Sequence, residues 1–118
     1  MPKKRDLRLF LEEMLEEIQR IEGFVKGINK LDEFQKNEVV YYAVLKALEN
    51  IGEAVRYIPQ DIRDAYPLLW RKIVGLKDII SHSYFGIDAA IIWDVVKNKL
   101  PELKSIVGKI LINLDEGK

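Results

Sequence analysis

Apolar residues recur along this chain at spacings of three and four, and no stretch alternates with period two for long. The pattern is that of amphipathic helices rather than strands. Leu7, Phe10, Leu11, Met14, Leu15, Ile18, Ile21 and Val25 mark one face of a first helix. Asp6 is placed to cap its start, and Gly27 and Asn29 suit its end. A second helix is expected from about Asn37 to about Tyr57, with Val40, Val44, Leu48, Ile51 and Val55 on its inner face. Asn37 is its N-cap, and Pro59 stops it. Gly52 lies inside this helix at a cost of roughly 1 kcal/mol relative to Ala, and close helix packing is the simplest reason for it.

A short helical turn is expected over residues 59–66. Pro67 then opens a third long helix to about Ser81, with Leu69, Ile73, Leu76 and Ile80 inward. Ser83 to Gly86 reads as a connection, and Ile87 or Asp88 opens a helix carrying Ile91, Ile92, Val95 and Val96. Pro101 starts a last helix lined by Leu103, Ile106, Val107, Ile110 and Leu111. The expected architecture is all-α: an up-and-down bundle of four to five helices with short loops. There is no linker and no internal repeat, so residues 1–118 read as a single domain.

Composition narrows what such a bundle can do. The 118 residues carry a formal net charge of zero, so nucleic acid cannot be held by bulk charge, and any RNA contact must use a local patch. There is no Cys, which removes disulfides, thiolate metal sites and Cys nucleophiles and fits a cytoplasmic protein. With one His, a zinc site would need several carboxylates, so no metal and no cofactor is expected. Glu12 and Glu13 interrupt the stretch after the basic Lys3-Lys4-Arg5, so it does not read as a signal peptide. No apolar run is long enough to span a bilayer. Gly-rich phosphate loops and H-E-x-x-H are absent, and no short basic recognition helix stands out.

The chemistry gathers around the single histidine. His82 follows Asp78 by four residues, so both project from nearly one helix face, where a carboxylate can orient the imidazole. Lys77 is about 140° away around an ideal helix, and its long stem can swing toward the same mouth. Tyr84 follows two residues after His82. By residue type alone, a lone His at a helix end more often just interacts favourably with the helix dipole, and a Lys-Asp pair is more often a solvated face.

Residues 77–88 are similar to the R-x4-H-x-Y signature of HepT-like proteins in the HEPN superfamily. Asp78, His82 and Tyr84 match its polar residue, His and Tyr, and Phe85-Gly86-Ile87-Asp88 resembles its tail. Ala43-Val44 and Ile51-Gly52-Glu53-Ala54 resemble the family's second helix, and Trp93 and Pro101-Glu102-Leu103 also fit. The resemblance spans nearly the whole chain. It implies a HEPN-like fold and a metal-independent RNA endonuclease that acts as the toxin of a toxin–antitoxin system. It also implies a MNT-type nucleotidyltransferase antitoxin that transfers AMP to the motif tyrosine, here Tyr84.

Breaking RNA through its 2′-hydroxyl needs a base, an acid and positive charge at the phosphorus. One His per chain then points to a two-fold homodimer with a composite site. His82 would be base or acid, Lys77 the phosphate clamp, Asp78 the orienter and Glu53 a support that holds Lys77 or Arg71. Lys77 departs from the family's Arg, which keeps the charge but loses the bidentate fork. That departure leaves two other classes open: a non-catalytic helical subunit that partners a nucleotidyltransferase, and a plain helical interaction domain.

Overall fold

The computed structural model describes residues 4–82 and 86–116, all of whose regular elements are helical. Four long helices, α1 (Lys4–Phe24), α3 (Glu38–Ala54), α5 (Pro67–His82) and α7 (Leu100–Glu116), form the bundle. The short helices α2 (Leu31–Lys36), α4 (Gln60–Ala65) and α6 (Ala89–Asp94) connect them. Cross-helix contacts fix the directions. Phe10 stacks on Tyr57, and Asn50 donates to Glu17, so α1 and α3 run antiparallel. Arg8 pairs with Asp115 and Lys104 with Glu22, so α1 and α7 do too. Gly52 against Lys77 and Glu49 against Ser81 set α3 antiparallel to α5. The result is the expected up-and-down order, with α3 between α1 and α5.

The core is one apolar cluster. Leu11, Ile18, Ile21, Val44 and Val107 from three long helices are fully enclosed, joined by Phe34 of α2, Val55 just after α3 and Ile92 of α6. Asn37 caps α3 as expected, Asp88 proves to be the N-cap of α6, and Asp6, read as a cap, lies inside the first turn of α1. The Asn37 side chain accepts from Val40 N at 3.1 Å, and the Asp88 carboxylate accepts from Ala90 N at 2.9 Å, each satisfying a backbone donor that the helix leaves free.

Three features depart from the pattern reading. Helix α2 was not anticipated, because six residues offer a single apolar turn. It is held by burial of Phe34 between Tyr41 and Trp93. On α5 Trp70 and, as expected, Ile80 are buried, whereas Leu69, Ile73 and Leu76 are only partly covered. The α5 face that meets α3 carries Lys77, and Leu69, Ile73 and Leu76 line a surface groove instead. Finally, Pro101 does not start a separate helix. The chain passes from α6 through a π-helical turn, Val95–Lys99, directly into α7, and Leu100 N–H donates back to Val95. A proline in a helix interior removes one ladder bond and crowds the carbonyl four residues earlier. A widened turn just before it provides the room.

Candidate active site

The site is built where α5 crosses α3, and a glycine permits the crossing. A Cβ on Gly52 would overlap Lys77 Cβ and sit 2.8 Å from Lys77 Cγ. Only a bare Cα lets the Lys77 stem lie flat on α3, so the mid-helix glycine has its physical reason. Laid there, the Lys77 side chain is 27 % exposed and its ammonium is aimed along the seam. Nζ lies 3.5 Å from Glu53 Oε1 and 3.8 Å from Asp78 Oδ1. Glu53 also accepts from Arg56 Nη1 at 3.3 Å. One turn further along α5, Ser81 Oγ donates to Glu49 Oε2 at 2.8 Å in a part-buried setting.

The structure therefore brings Glu53, Lys77 and Asp78 into one cluster. It does not bring His82 onto that cluster within a protomer. His82 is exposed at the last turn of α5 and forms no hydrogen bond or ion pair among the described residues. Asp78 stands between the two and leans its carboxylate toward Lys77. Arg71 and Lys72 are exposed, and Glu53 holds Lys77 and Arg56 rather than Arg71. Tyr84, with Ser83 and Phe85, lies outside the described residues. Among those described, no three His, Asp or Glu side chains converge as a metal-binding set.

Glu49 and Ser81 are site-adjacent residues that the sequence reading passed over. Glu49 precedes Glu53 by four, so the two carboxylates share a face of α3. That spacing was visible in the sequence; that α5 lies against this face, with Ser81 opposite Glu49, was not.

A second feature adjoins the site. A groove of about 600 Å³ opens between α5, the α6–π segment and α7. Its walls are mainly apolar, and Leu68, Ile79 and Ile91 are each about half exposed there. Lys72, Lys99, Asp94 and Glu102 add charges of both signs. On α5 the positions 68, 72, 75, 79 and 82 follow the 4-3-4-3 spacing of a helix-packing seam, so His82 lies at the end of the face that carries the groove. No helix among the described residues is long and apolar enough to cross a membrane.

An antiparallel helical bundle with a lysine seated on a glycine, one turn before a helix-terminal His, defines a class of small all-α proteins to which the chain can be compared. The family model described as "Ribonuclease HepT-like" matches residues 14–110. "Putative RNase MJ1380" of Methanocaldococcus jannaschii is 44 % identical over 105 residues, covering 88 % of this chain and 95 % of the relative. "Putative RNase MJ0125" of the same organism is 40 % identical over 114 residues, covering 96 % and 97 %. "Probable ribonuclease HepT" of Thermococcus cleftensis is 36 % identical over 108 residues, covering 91 % and 97 %. No solved structure matches the chain. The chain belongs to the HepT-like ribonuclease family, with its all-α HEPN-like fold.

Proposed function

We propose that this protein is a metal-independent RNA endonuclease that acts in the cytoplasm as the toxin of a toxin–antitoxin pair. The observation that carries the reading is the seating of Lys77. A surface lysine has no need of a glycine cut into the facing helix, whereas a lysine that must hold its charge at a fixed place does. Glu53 and Asp78 flank the ammonium and orient it.

In the reaction, the RNA 2′-hydroxyl attacks the adjacent phosphorus and the bond to the 5′-oxygen breaks. A base takes the hydroxyl proton, an acid returns one to the leaving oxygen, and the products are a 2′,3′-cyclic phosphate and a free 5′-hydroxyl. His82 is base or acid, and Lys77 neutralises the phosphorane. One chain offers a single imidazole, and its Lys77 turns away from its His82. A homodimer in which two copies meet along the apolar groove would set two copies of His82 on one shared face, one for each proton transfer. The groove supports that arrangement by its half-exposed Leu68, Ile79 and Ile91 and by cations and anions that a two-fold axis can pair.

Control of the toxin falls to a nucleotidyltransferase antitoxin that transfers AMP to Tyr84. The adduct adds about one negative charge and a bulky nucleoside two residues from His82, and so repels RNA phosphates.

Two measurements test the reading. Lys77→Ala should lower the rate of RNA cleavage at least about tenfold, since a charged hydrogen bond contributes roughly 1.5–3 kcal/mol. Lys77→Arg should preserve or raise the rate. Undiminished cleavage by Lys77→Ala makes Lys77 a surface residue and removes the clamp. Co-expression with the cognate nucleotidyltransferase should add one or more AMP masses to the parent and none to Tyr84→Phe. An adduct that persists in Tyr84→Phe, or one that leaves cleavage unaffected, contradicts the control mechanism.

A further inference from the structure

The two most exposed large apolar side chains among the described residues are Val39 and Tyr42, 80 % and 70 % accessible, and both lie at the start of α3. Their position relative to the site follows from the register of α3 and α5. Lys77 lies against Gly52 and Glu53, and Ser81 against Glu49, so each turn toward the end of α5 moves one turn toward the start of α3. Helix α5 ends at His82, while the same face of α3 continues beyond it. Tyr42, Lys46, Glu49 and Glu53 follow one another at spacings of four, three and four, so they form a single stripe. Helix α5 engages the last two. Tyr42 and Lys46 are the open continuation of that seam, with Tyr42 about 10 Å along the helix from Glu49.

The Tyr42 ring is held in place. It meets Tyr41 edge-on, with centroids 6.4 Å apart at 66°. Tyr41 in turn packs edge-on to the fully buried Phe34 at 5.4 Å. Burial, then the Asp88 carboxylate, then Tyr42, push the Tyr41 phenol above its ordinary range, so Tyr41 stays a neutral support. Lys46 is exposed and forms no ion pair among the described residues.

We infer that Tyr42 and Lys46 form a nucleotide subsite on α3 past the His82 end of α5, where a base of single-stranded RNA near the scissile phosphate stacks on the Tyr42 ring while Lys46 meets a backbone phosphate. The inference rests on the ribonuclease reading and adds what positions the strand. A chain with zero net charge needs such a local contact, because its overall field does not attract RNA. Every base has a face that stacks on an aromatic ring, so the subsite favours unpaired RNA and tolerates sequence. A cation beside an exposed ring suits a nucleotide better than it suits an apolar protein surface, for which Lys46 would be a cost.

The test is binding of a fluorescein-labelled single-stranded RNA oligonucleotide, read by anisotropy, to the full chain carrying His82→Ala so that the probe stays intact. Tyr42→Ala in that background should weaken binding about tenfold, the scale of one base–aromatic stack. Tyr42→Phe should bind like the parent. Lys46→Ala should weaken all sequences alike and reduce the salt slope by about one. An abasic residue near the scissile position should weaken the parent as much as Tyr42→Ala does and add nothing to that variant. In the cleaving protein the loss from Tyr42→Ala should fall on KM rather than kcat.

Equal affinity of Tyr42→Ala and parent overturns the subsite, as does an equal loss in Tyr42→Phe. A Tyr42→Ala defect confined to association with the nucleotidyltransferase also overturns it and makes the patch a protein-docking surface. A parent that binds RNA through Tyr42 without cutting it keeps the subsite and removes the ribonuclease reading. A parent that cuts RNA with no dependence on Tyr42 does the reverse.

Discussion

At Gly52 two effects of one methyl group oppose each other. Alanine in a helix interior is favoured over glycine by about 1 kcal/mol. The same methyl would overlap Lys77 Cβ, an atom fixed to the α5 backbone that cannot swing aside as a side-chain tip can. Overpacking of this kind costs roughly 1–3 kcal/mol, so the overlap outweighs the helix preference. Gly52→Ala is therefore expected to lower the melting temperature by several degrees and to depress RNA cleavage together, because α3 must move from the helix that carries Lys77. A rise in melting temperature with cleavage intact would mean that the helices are not in contact at this point. The glycine and its packing role were legible in the sequence, as was Glu53 as a neighbour of Lys77, because Glu53 is fixed to the glycine by chain adjacency. The placement of Asp78 was less so. Helical spacing aligned it with His82, yet its carboxylate turns to the nearer ammonium of Lys77.

Among the elements, the features legible in advance are those written into a few consecutive residues. Asn37 and Asp88 cap their helices through bonds to backbone donors two or three residues on, which any sequence window contains. Helix α2 and the π-helical turn depend on tertiary context: burial of Phe34 by α3 and α6 in one case, relief of Pro101 inside a continuous helical run in the other. Trp70 belongs with these, since the inner face read from helical spacing leaves it out and only the neighbouring helices bury it. The Glu49–Ser81 bond is likewise a product of register, and it has a consequence for the last turn of α5. Helix ends fray, and this bond ties the residue before His82 to a long helix. Ser81→Ala and Glu49→Ala should each cost about 1 kcal/mol, the scale of a partly exposed hydrogen bond to a carboxylate, and each should slow cleavage. The double variant should be no worse than either single one, since both remove the same contact. Additive losses in the cycle would show that the two residues act separately and that the bond does not position His82.

For the molecule as a whole, the antiparallel order of the four long helices puts the lysine seam on one side of α5 and the apolar groove with His82 on the other. A single protomer thus separates Lys77 from His82, and the proposed homodimer is the arrangement that would supply a second copy of each. The all-α bundle was legible because periodicity alone carries it. The groove was not, because the half-buried Leu69, Ile73 and Leu76 look from sequence like ordinary core. Family membership places the bundle among HepT-like ribonucleases, and Lys77 and His82 are the groups that the proposed function assigns to the chemistry. The most direct measurement is incubation of the purified full chain with total RNA in the presence of a strong metal chelator, beside His82→Ala purified in the same way. The parent should degrade RNA with chelator present, leaving cyclic phosphate ends, and His82→Ala should leave the RNA intact while melting at the same temperature. Intact RNA in the parent lane, or equal degradation by His82→Ala, would contradict the proposed function.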